Sequence, residues 1–221
     1  MIRLIVCGSE GRMGKEITRL VEQDRKIKVV AKIDKNQLMK KISADVVVDF
    51  TLASEFTKIL SWCVENKIAF VSGTTGITAA DKSKMKRAAK KIPVFWAPNM
   101  SLGVNFVINL LKSFGKISDF DFEISETHHI NKKDKPSGTA LWIKETLEKS
   151  VRKRIYNVAS VREGEVFGDH KITATSSSEK IILEHRALNR EVFAKGAIAA
   201  VRWIANKKKG LYSMSDLLKD R

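Results

Sequence analysis

The feature that most constrains the fold is a glycine turn between a short apolar run and an amphipathic helix pattern. The run Ile2 to Cys7 has the composition of a buried strand, and Gly8-Ser-Glu-Gly-Arg-Met-Gly14 follows it at once. Apolar residues at helical spacing then continue to Asp24. A strand, a glycine turn and a helix in this order are typical of domains that bind a phosphate at the helix N-terminus.

The same alternation of strand and helix patterns continues to residue 98. Strand patterns occur at 29–33, 46–50, 69–72 and 94–96, and helix patterns at 54–65 and 79–91. Short apolar runs separated by helices predict a parallel sheet with helices on both faces.

The pattern changes after residue 98. A helix is predicted at 103–114, a strand at 120–127, a polar loop at 128–137, a helix at 139–149, and strands at 156–162, 171–175 and 180–185. An Ala-rich helix at 192–205 needs a large apolar partner, which the first sheet would provide. We therefore predict an α/β fold in which 1–98 and 196–221 form a discontinuous Rossmann-like domain and 99–195 form an α+β domain with an open, largely antiparallel sheet.

One acidic residue decides between two interpretations of the glycine turn. Its G-x-x-G-x-x-G spacing differs from the usual G-x-G-x-x-G, so a tight turn without a ligand is an equal alternative on the pattern alone. Asp34 ends the second strand, 20 residues after Gly14. Dinucleotide folds place there the acid that binds the adenosine ribose. Lys35, Arg12 and Lys15 are either surface charges or partners of a 2′-phosphate, so both NADH and NADPH stay open as cofactors.

The polar loop from His128 to Thr139 concentrates titratable groups. An imidazole can accept or donate a proton near neutral pH, and the ammonium of Lys132 can protonate or bind an anionic centre. The Pro-Ser-Gly-Thr run at the helix start, with Ser137 or Thr139 as N-cap, offers backbone N–H groups to a carboxylate. The alternative is a solvated basic loop with a helix cap. We interpret His170 and His185 as strand-end residues, and we predict no metal site because no ligand cluster has suitable spacing.

Charge and cysteine content limit the partners. The formal charge of +16 is spread as +9, +3 and +4 over residues 1–98, 99–195 and 196–221, and no aromatic residues alternate with basic ones. We therefore expect anionic small molecules and no nucleic acid. Two cysteines within apolar patterns are typical of reduced thiols, and no apolar run approaches the ~20 residues of a membrane span. We predict a cytoplasmic protein without a membrane partner.

The motifs stand in the order seen in one enzyme family. Together they resemble the 4-hydroxy-tetrahydrodipicolinate reductase (dihydrodipicolinate reductase) family over nearly the whole chain. The most specific part is the Glu-x-His-His and Pro-Ser-Gly-Thr block. The matching segments are Gly8-x-x-Gly-Arg-Met-Gly14, Asp49-Phe50-Thr51, Gly73-Thr-Thr-Gly76, Pro98-Asn99-Met-Ser-x-Gly-Val-Asn105, Glu126-x-His-His129, Lys132, Pro136-Ser-Gly-Thr139, Arg162-Glu-Gly-Glu-Val-Phe-Gly-Asp-His170 and Phe193-Ala-Lys-Gly-Ala197.

The resemblance implies an NADH- or NADPH-dependent reductase of a cyclic dicarboxylate in lysine and diaminopimelate biosynthesis. It implies that His128 is the acid/base group and Lys132 the proton donor. His129, Gly138 and Thr139 would hold the substrate, and the second domain would bind substrate and form a homotetramer through its sheet. The cofactor would be lined by Gly8, Ser9, Glu10, Gly11, Arg12, Met13, Asp34, Gly73, Thr74, Thr75, Ala97, Pro98, Asn99 and Met100.

Departures from the family pattern concern the cofactor preference and details of the substrate cleft more than the reaction itself, and two other functions stay open. The stretches from Asp34 to Asp45 and from the Thr139 helix to Val158 are unusually short, and Ile130-Asn131 stands where basic residues are common. Surface loops tolerate such losses, so length alone does not indicate inactivity. The first alternative is another two-domain NAD(P)-dependent dehydrogenase of a small dicarboxylate. The second is a non-enzymatic basic module that binds nucleotides or nucleic acid.

Overall fold

The computed structural model describes residues 1–34, 42–156 and 158–220. The chain divides into two compact units, which are described separately. Unit 1 comprises Met1–Leu102 and Glu191–Arg221, and unit 2 comprises Gly103–Arg190. The predicted roles of these two parts of the chain stay a prediction at this point.

The first part of unit 1 alternates strands and helices. Its elements are β1 (Ile2–Cys7), α1 (Arg12–Glu22), β2 (Ile27–Ile33), β3 (Val46–Asp49), α2 (Ala53–Asn66), β4 (Ala69–Ser72), α3 (Ala79–Ala88) and β5 (Pro93–Trp96). Strands β1, β3 and β4 are almost wholly buried, as their continuous apolar runs predict for a sheet covered on both faces.

Unit 2 starts within the first turn of α4, at Gly103. Its elements are α4 (Leu102–Leu111), a 3₁₀ turn (Phe114–Ile117), β6 (Asp121–His128), α5 (Gly138–Val151), β7 (Val158–Arg162), β8 (Asp169–Thr175) and β9 (Lys180–Arg186). The sheet order is β7-β6-β8-β9. Helices α4 and α5 cover one face, where Ile124 and Ile172 pack against Leu111, Ile143 and Leu147.

The chain then returns to unit 1 as α6 (Glu191–Ile204), β10 (Gly210–Tyr212) and α7 (Met214–Lys219). The six strands of unit 1 are parallel, in the order β10-β5-β4-β3-β1-β2. Helices α1, α6 and α7 pack on one face and α2 and α3 on the other. Helix α6 packs closely against the segment around Met100 at Gly196, because a Cβ at this position would lie 1.7 Å from the carbonyl oxygen of Met100.

The predicted fold class is confirmed, with two differences. Strand β7 pairs parallel with β6, because α5 carries the chain back to the starting end of the sheet, whereas β6, β8 and β9 are antiparallel. The sequence analysis also missed β10 and α7. Strand β10 is only three residues long and exists through pairing with β5, so it has little periodic signal of its own.

Candidate functional site

The glycine turn of unit 1 leaves no room for side chains. Gly8 has a φ of +80°, and a Cβ there would lie 2.7 Å from the carbonyl oxygen of Phe50. A Cβ on Gly14 would lie 2.1 Å from the carbonyl oxygen of Gly8. Gly11 is the N-cap of α1 and supplies no side-chain cap to the first helical turn. Such a turn fits a pyrophosphate, because the backbone approaches closely and the positive end of the helix dipole lies there.

Asp34 lies at the end of β2, beside the glycine turn. Its carboxylate accepts hydrogen bonds from the Ser9 hydroxyl and from the Glu10 backbone N–H, the latter at 3.0 Å. The predicted ribose-binding acid therefore also braces the turn, which the sequence analysis did not foresee. Lys15 pairs with Glu10 at 3.5 Å on the exposed surface. Lys35 lies outside the described residues.

A second buried carboxylate organises the neighbouring loops. Asp49 ends β3 and is fully buried. It accepts hydrogen bonds from the hydroxyls of Thr51 (2.6 Å), Ser72 (2.7 Å) and Thr74 (2.8 Å), and from the Thr51 N–H (3.0 Å). Because these donors come from two chain segments, Asp49 fixes the loop that starts at Gly73. The sequence analysis quoted Asp49 in a motif but gave it no role; hydroxyl residues beside an acid at a strand end were the available signal.

The predicted cofactor residues follow the carboxyl ends of neighbouring strands. After β5, Ala97 and Met100 are buried, and the Ala97 N–H donates to the Ser72 carbonyl at 3.2 Å. Open α/β sheets bind ligands at this edge. The segments that follow β1, β2, β4 and β5 contain every predicted cofactor residue that the structure describes. These residues are Gly8, Ser9, Glu10, Gly11, Arg12, Met13, Asp34, Gly73, Thr74, Thr75, Ala97, Pro98, Asn99 and Met100.

In unit 2, His128 belongs to a buried cluster with Glu126 and Arg162. Glu126 and His128 are two residues apart on β6, so both side chains lie on the same, helix-covered face of the sheet. The Glu126 carboxylate is hydrogen-bonded to Nδ1 of His128. Arg162 is the register partner of His128 on β7, and its two terminal nitrogens donate to the two oxygens of Glu126 at 3.0 and 2.8 Å. This bidentate pair is the strong form of a charge-assisted hydrogen bond.

The cluster sets the protonation of both β6 side chains. Burial by itself would raise the pKa of Glu126, but the bonds from Arg162 and His128 outweigh it and lower this pKa to about 2. Burial lowers the pKa of His128, against the opposing effect of Glu126. A neutral imidazole that donates Nδ1–H to a carboxylate keeps Nε2 as its basic nitrogen. A Cβ on Gly168, where φ is +148°, would lie 2.9 Å from that Nε2, so glycine keeps this nitrogen uncovered.

The other predicted proton donor, Lys132, lies in the loop beside the same arginine. Its ammonium contacts one oxygen of Asp134 at 2.6 Å, and the Gly138 N–H donates to the other oxygen at 3.3 Å. The carbonyls of Lys132 and Asp134 accept hydrogen bonds from Arg162 at 3.3 and 2.5 Å. The loop therefore already binds one carboxylate with an ammonium and a helix N–H.

The proposed substrate residues frame this loop. The His129 backbone N–H donates to the Val166 carbonyl at 2.7 Å. Ser137, and not Thr139, is the N-cap of α5, and its hydroxyl accepts a first-turn N–H at 3.1 Å. The Ser137 N–H donates to Glu126 at 3.2 Å, so the start of α5 is tied to the buried cluster.

His170, interpreted from the sequence only as a strand-end residue, lies next to the site. The His170 ring contacts that of His128 in a T-shaped arrangement with centroids 5.2 Å apart, and its Nε2 lies 3.4 Å from the Ser137 hydroxyl. His170 is 3% exposed. Burial, helped by the charges that His128 and His185 can carry, lowers its pKa to about 4. Strand register places His170 opposite Glu126 and His185, which no local pattern reveals.

Within residues 1–34, 42–156 and 158–220, no group of three or more His, Cys, Asp or Glu side chains is arranged to hold a metal ion. None of the helices in these ranges combines the length and the apolar character needed to cross a lipid bilayer.

Comparison with known proteins gives one consistent result. Residues 2–100 match the family model "Dihydrodipicolinate reductase, N-terminus", and residues 103–218 match "Dihydrodipicolinate reductase, C-terminus". A 4-hydroxy-tetrahydrodipicolinate reductase from Bdellovibrio bacteriovorus is 44% identical over 220 residues, covering 98% of this chain and 96% of the relative. One from Caldanaerobacter subterraneus subsp. tengcongensis is 36% identical over 248 residues, covering 99% of each.

A solved structure supports the fold. The dipicolinate-bound dihydrodipicolinate reductase from Paenisporosarcina sp. TG-14 superposes with a TM-score of 0.84 at 22% identity, covering 96% of this chain and 97% of that one. The shared fold spans both units.

Proposed function

This chain belongs to the dihydrodipicolinate reductase family, and from that premise we propose that it reduces 4-hydroxy-tetrahydrodipicolinate to tetrahydrodipicolinate in lysine and diaminopimelate biosynthesis. It is an NAD(P)H-dependent oxidoreductase, so neither the alternative dehydrogenase nor the non-enzymatic module is favoured. The observation that carries the proposal is the Glu126–His128–Arg162 cluster beside Lys132, within a chain whose two halves both match the family.

We propose unit 1 as the dinucleotide-binding domain. The uncapped start of α1 and the glycine positions that exclude a Cβ fit a pyrophosphate, and Asp34 would accept hydrogen bonds from ribose hydroxyls. When bound, the reduced nicotinamide would supply a hydride to the conjugated ring that forms once the 4-hydroxyl of the substrate has left as water. Asp34 repels a 2′-phosphate, whereas Arg12 and Lys15 attract it. We therefore expect NADH to be no worse than about tenfold behind NADPH, a gap of about 1.4 kcal/mol.

In unit 2, His128 and Lys132 would handle the proton that accompanies reduction. Charge that develops on the conjugated nitrogen of the ring must be met by a proton before product leaves. Lys132 carries an ammonium on a flexible stem and would deliver this proton. His128, with Nδ1 held by Glu126 and Nε2 kept basic, would relay or buffer it.

The Asp134 carboxylate supports the assignment of the substrate-binding groups. It is held by the Lys132 ammonium and the Gly138 N–H, so this loop can bind a carboxylate without rearranging its backbone. A substrate carboxylate would take the place of Asp134, with His129 and Thr139 adding further contacts. Replacement of His129 or Thr139 should then raise KM more than it lowers kcat.

A steady-state assay tests the proposal. Nicotinamide absorbance is followed with enzymatically generated 4-hydroxy-tetrahydrodipicolinate, with NADH and NADPH in parallel. We expect His128→Gln and Lys132→Ala each to lower kcat by roughly 10²-fold or more, with nicotinamide affinity nearly unchanged. Lys133→Ala, which removes the adjacent exposed lysine, is the matched control.

Two outcomes of this assay would contradict the assigned roles. The first is a His128→Gln variant whose kcat stays within about threefold of the wild type, as loss of a simple loop contact would give. The second is a double variant whose loss equals the product of the two single losses, since groups acting in one step give non-additive effects. A wild-type protein with no turnover of this substrate would reject the function itself.

We further propose a homotetramer that forms through unit 2. The sheet face opposite α4 and α5 carries Val161 and Ile182, which are 43% and 50% exposed, beside a concavity of about 910 Å³ lined by Glu123 and Lys171. Apolar side chains with charges of both signs suit a face that a second copy covers. A strict monomer in sedimentation at micromolar concentration would contradict this.

The buried free thiols of Cys7 and Cys63 support a cytoplasmic location.

A further inference from the structure

We propose that Arg162 is a positioning residue that holds both proton-handling side chains of unit 2, His128 through the carboxylate of Glu126 and Lys132 through its backbone carbonyl. The inference rests on the roles proposed above for His128 and Lys132. Arg162 acts through these partners and is assigned no contact with substrate.

The hydrogen bonds of Arg162 use all five of its N–H donors. Nε donates to the Lys132 carbonyl at 3.3 Å. One terminal nitrogen donates to Glu126 at 3.0 Å and to the Val161 carbonyl at 2.6 Å. The other donates to Glu126 at 2.8 Å and to the Asp134 carbonyl at 2.5 Å. A lysine has three donors on a single nitrogen and cannot reproduce this planar set of contacts.

The position of the arginine makes these contacts strong. Its side chain is 11% exposed and that of Glu126 is 0% exposed, so water screens the pair little. Arg162 lies directly across from His128 in the parallel register of β6 and β7. One side chain therefore joins the end of a strand, its buried carboxylate and the loop that carries Lys132.

The charge of Arg162 also acts on His128. The charged or titratable groups facing this imidazole are Glu126 on the same strand, Arg162 on β7, Lys132 in the loop and His170 on β8. Burial is the first cause of the lowered pKa of His128; Glu126 opposes it, and the charges of Lys132 and Arg162 lower the pKa further. The charge of Arg162 therefore favours the neutral imidazole, which is the form that can accept a proton.

The first experiment measures the His128 pKa without substrate or cofactor. Imidazole resonances of the isotope-labelled protein are titrated by NMR and assigned with His128→Gln. We expect Arg162→Met to raise the pKa of His128, because a nearby like charge is removed. Glu126→Gln should lower it, and the double variant should return it towards the wild-type value. A purely structural arginine would not produce opposite shifts that cancel.

The second experiment separates the charge of Arg162 from its geometry. Arg162→Lys keeps the charge, so the His128 pKa should stay near the wild-type value. It loses the contacts to the Lys132 and Asp134 carbonyls, so kcat should fall by about ten- to a hundredfold, as misplacement of a reacting group does. Arg3→Met is the matched control, because it removes an arginine bonded by two nitrogens to one carboxylate, Asp45, in unit 1.

The results distinguish this inference from the proposed function. An unchanged His128 titration in Arg162→Met, or an Arg162→Lys variant with kcat within twofold of the wild type, overturns the inference. So does a loss of kcat in Arg3→Met as large as that in Arg162→Lys. If the NMR shifts appear but the wild type does not turn over 4-hydroxy-tetrahydrodipicolinate, the function fails and the positioning role stands. If Arg162→Met does not fold, two measurements still test the inference. They are the expected fall of the His128 pKa in Glu126→Gln and the expected fall of kcat in Arg162→Lys.

Discussion

The buried imidazole of His170 makes the stability of unit 2 depend on pH. Its pKa is lowered from an ordinary 6.5 to about 4, first because of burial and then because of the neighbouring histidines. A folded-state pKa below the unfolded value means that folding favours the neutral ring. The resulting stability is fully present above pH 6.5 and is lost as the pH falls through about 4.

The size of the effect follows from the two pKa values. Between pH 7.5 and pH 4.5 this side chain binds a proton in the unfolded chain but stays mostly neutral in the folded chain. The folding equilibrium then shifts by about 70-fold, or about 2.5 kcal/mol, from His170 alone. That is a large fraction of the 5–15 kcal/mol that is typical of a domain.

Urea unfolding at these two pH values measures the loss, with the wild type compared with His170→Gln. Gln can still meet the Ser137 hydroxyl but does not titrate, so the variant should lose about 2.5 kcal/mol less than the wild type on acidification. His128 and His185 remain in both proteins, so the part of their contribution that does not depend on the charge of His170 cancels in the difference. If His170→Gln loses as much stability as the wild type, the argument from burial is wrong.

Three further substitutions test the close contacts of the two sites. Gly14→Ala places a Cβ 2.1 Å from the Gly8 carbonyl oxygen and should weaken NADPH binding by about five- to 150-fold, which corresponds to an overpacking cost of about 1–3 kcal/mol, in a fluorescence titration. Asp49→Asn replaces one of the two carboxylate oxygens, each of which accepts two hydrogen bonds, by an amide nitrogen, and should lower the free energy of unfolding by about 1–3 kcal/mol in urea. Gly168→Ala crowds Nε2 of His128 and should lower kcat with NADPH affinity unchanged; an unaltered kcat would remove Nε2 from the reaction.

Features fixed by local sequence could be predicted. The glycine turn, the strand before it and the acid at Asp34 lie within one strand–helix–strand unit, so spacing alone indicated them. The His128 to Thr139 loop was visible because it concentrates charge between a strand and a helix. The choice between Ser137 and Thr139 as N-cap could not be made, since either hydroxyl can cap a first helical turn and only the backbone path decides.

Features fixed by pairing between distant segments could not be predicted. Arg162 and Glu126 are 36 residues apart, and their contact depends on the parallel return of the chain through α5. His170 reaches His128 only because β8 lies against β6 in one particular register. Residue type did not indicate either contact, because an arginine or a histidine at a strand end is common on protein surfaces.

The parallel pairing of β6 and β7 determines where this family can tolerate changes in length. Residues added or removed between α5 and β7 leave the pairing of His128 with Arg162 intact, as long as β7 starts at the same register. A single residue inserted within β7 would instead turn Arg162 to the opposite face of the sheet, because side chains alternate along a strand. The short connection before Val158 is therefore compatible with a working site. An insertion or deletion within the five residues of β7, in contrast, would change the register that pairs Arg162 with His128.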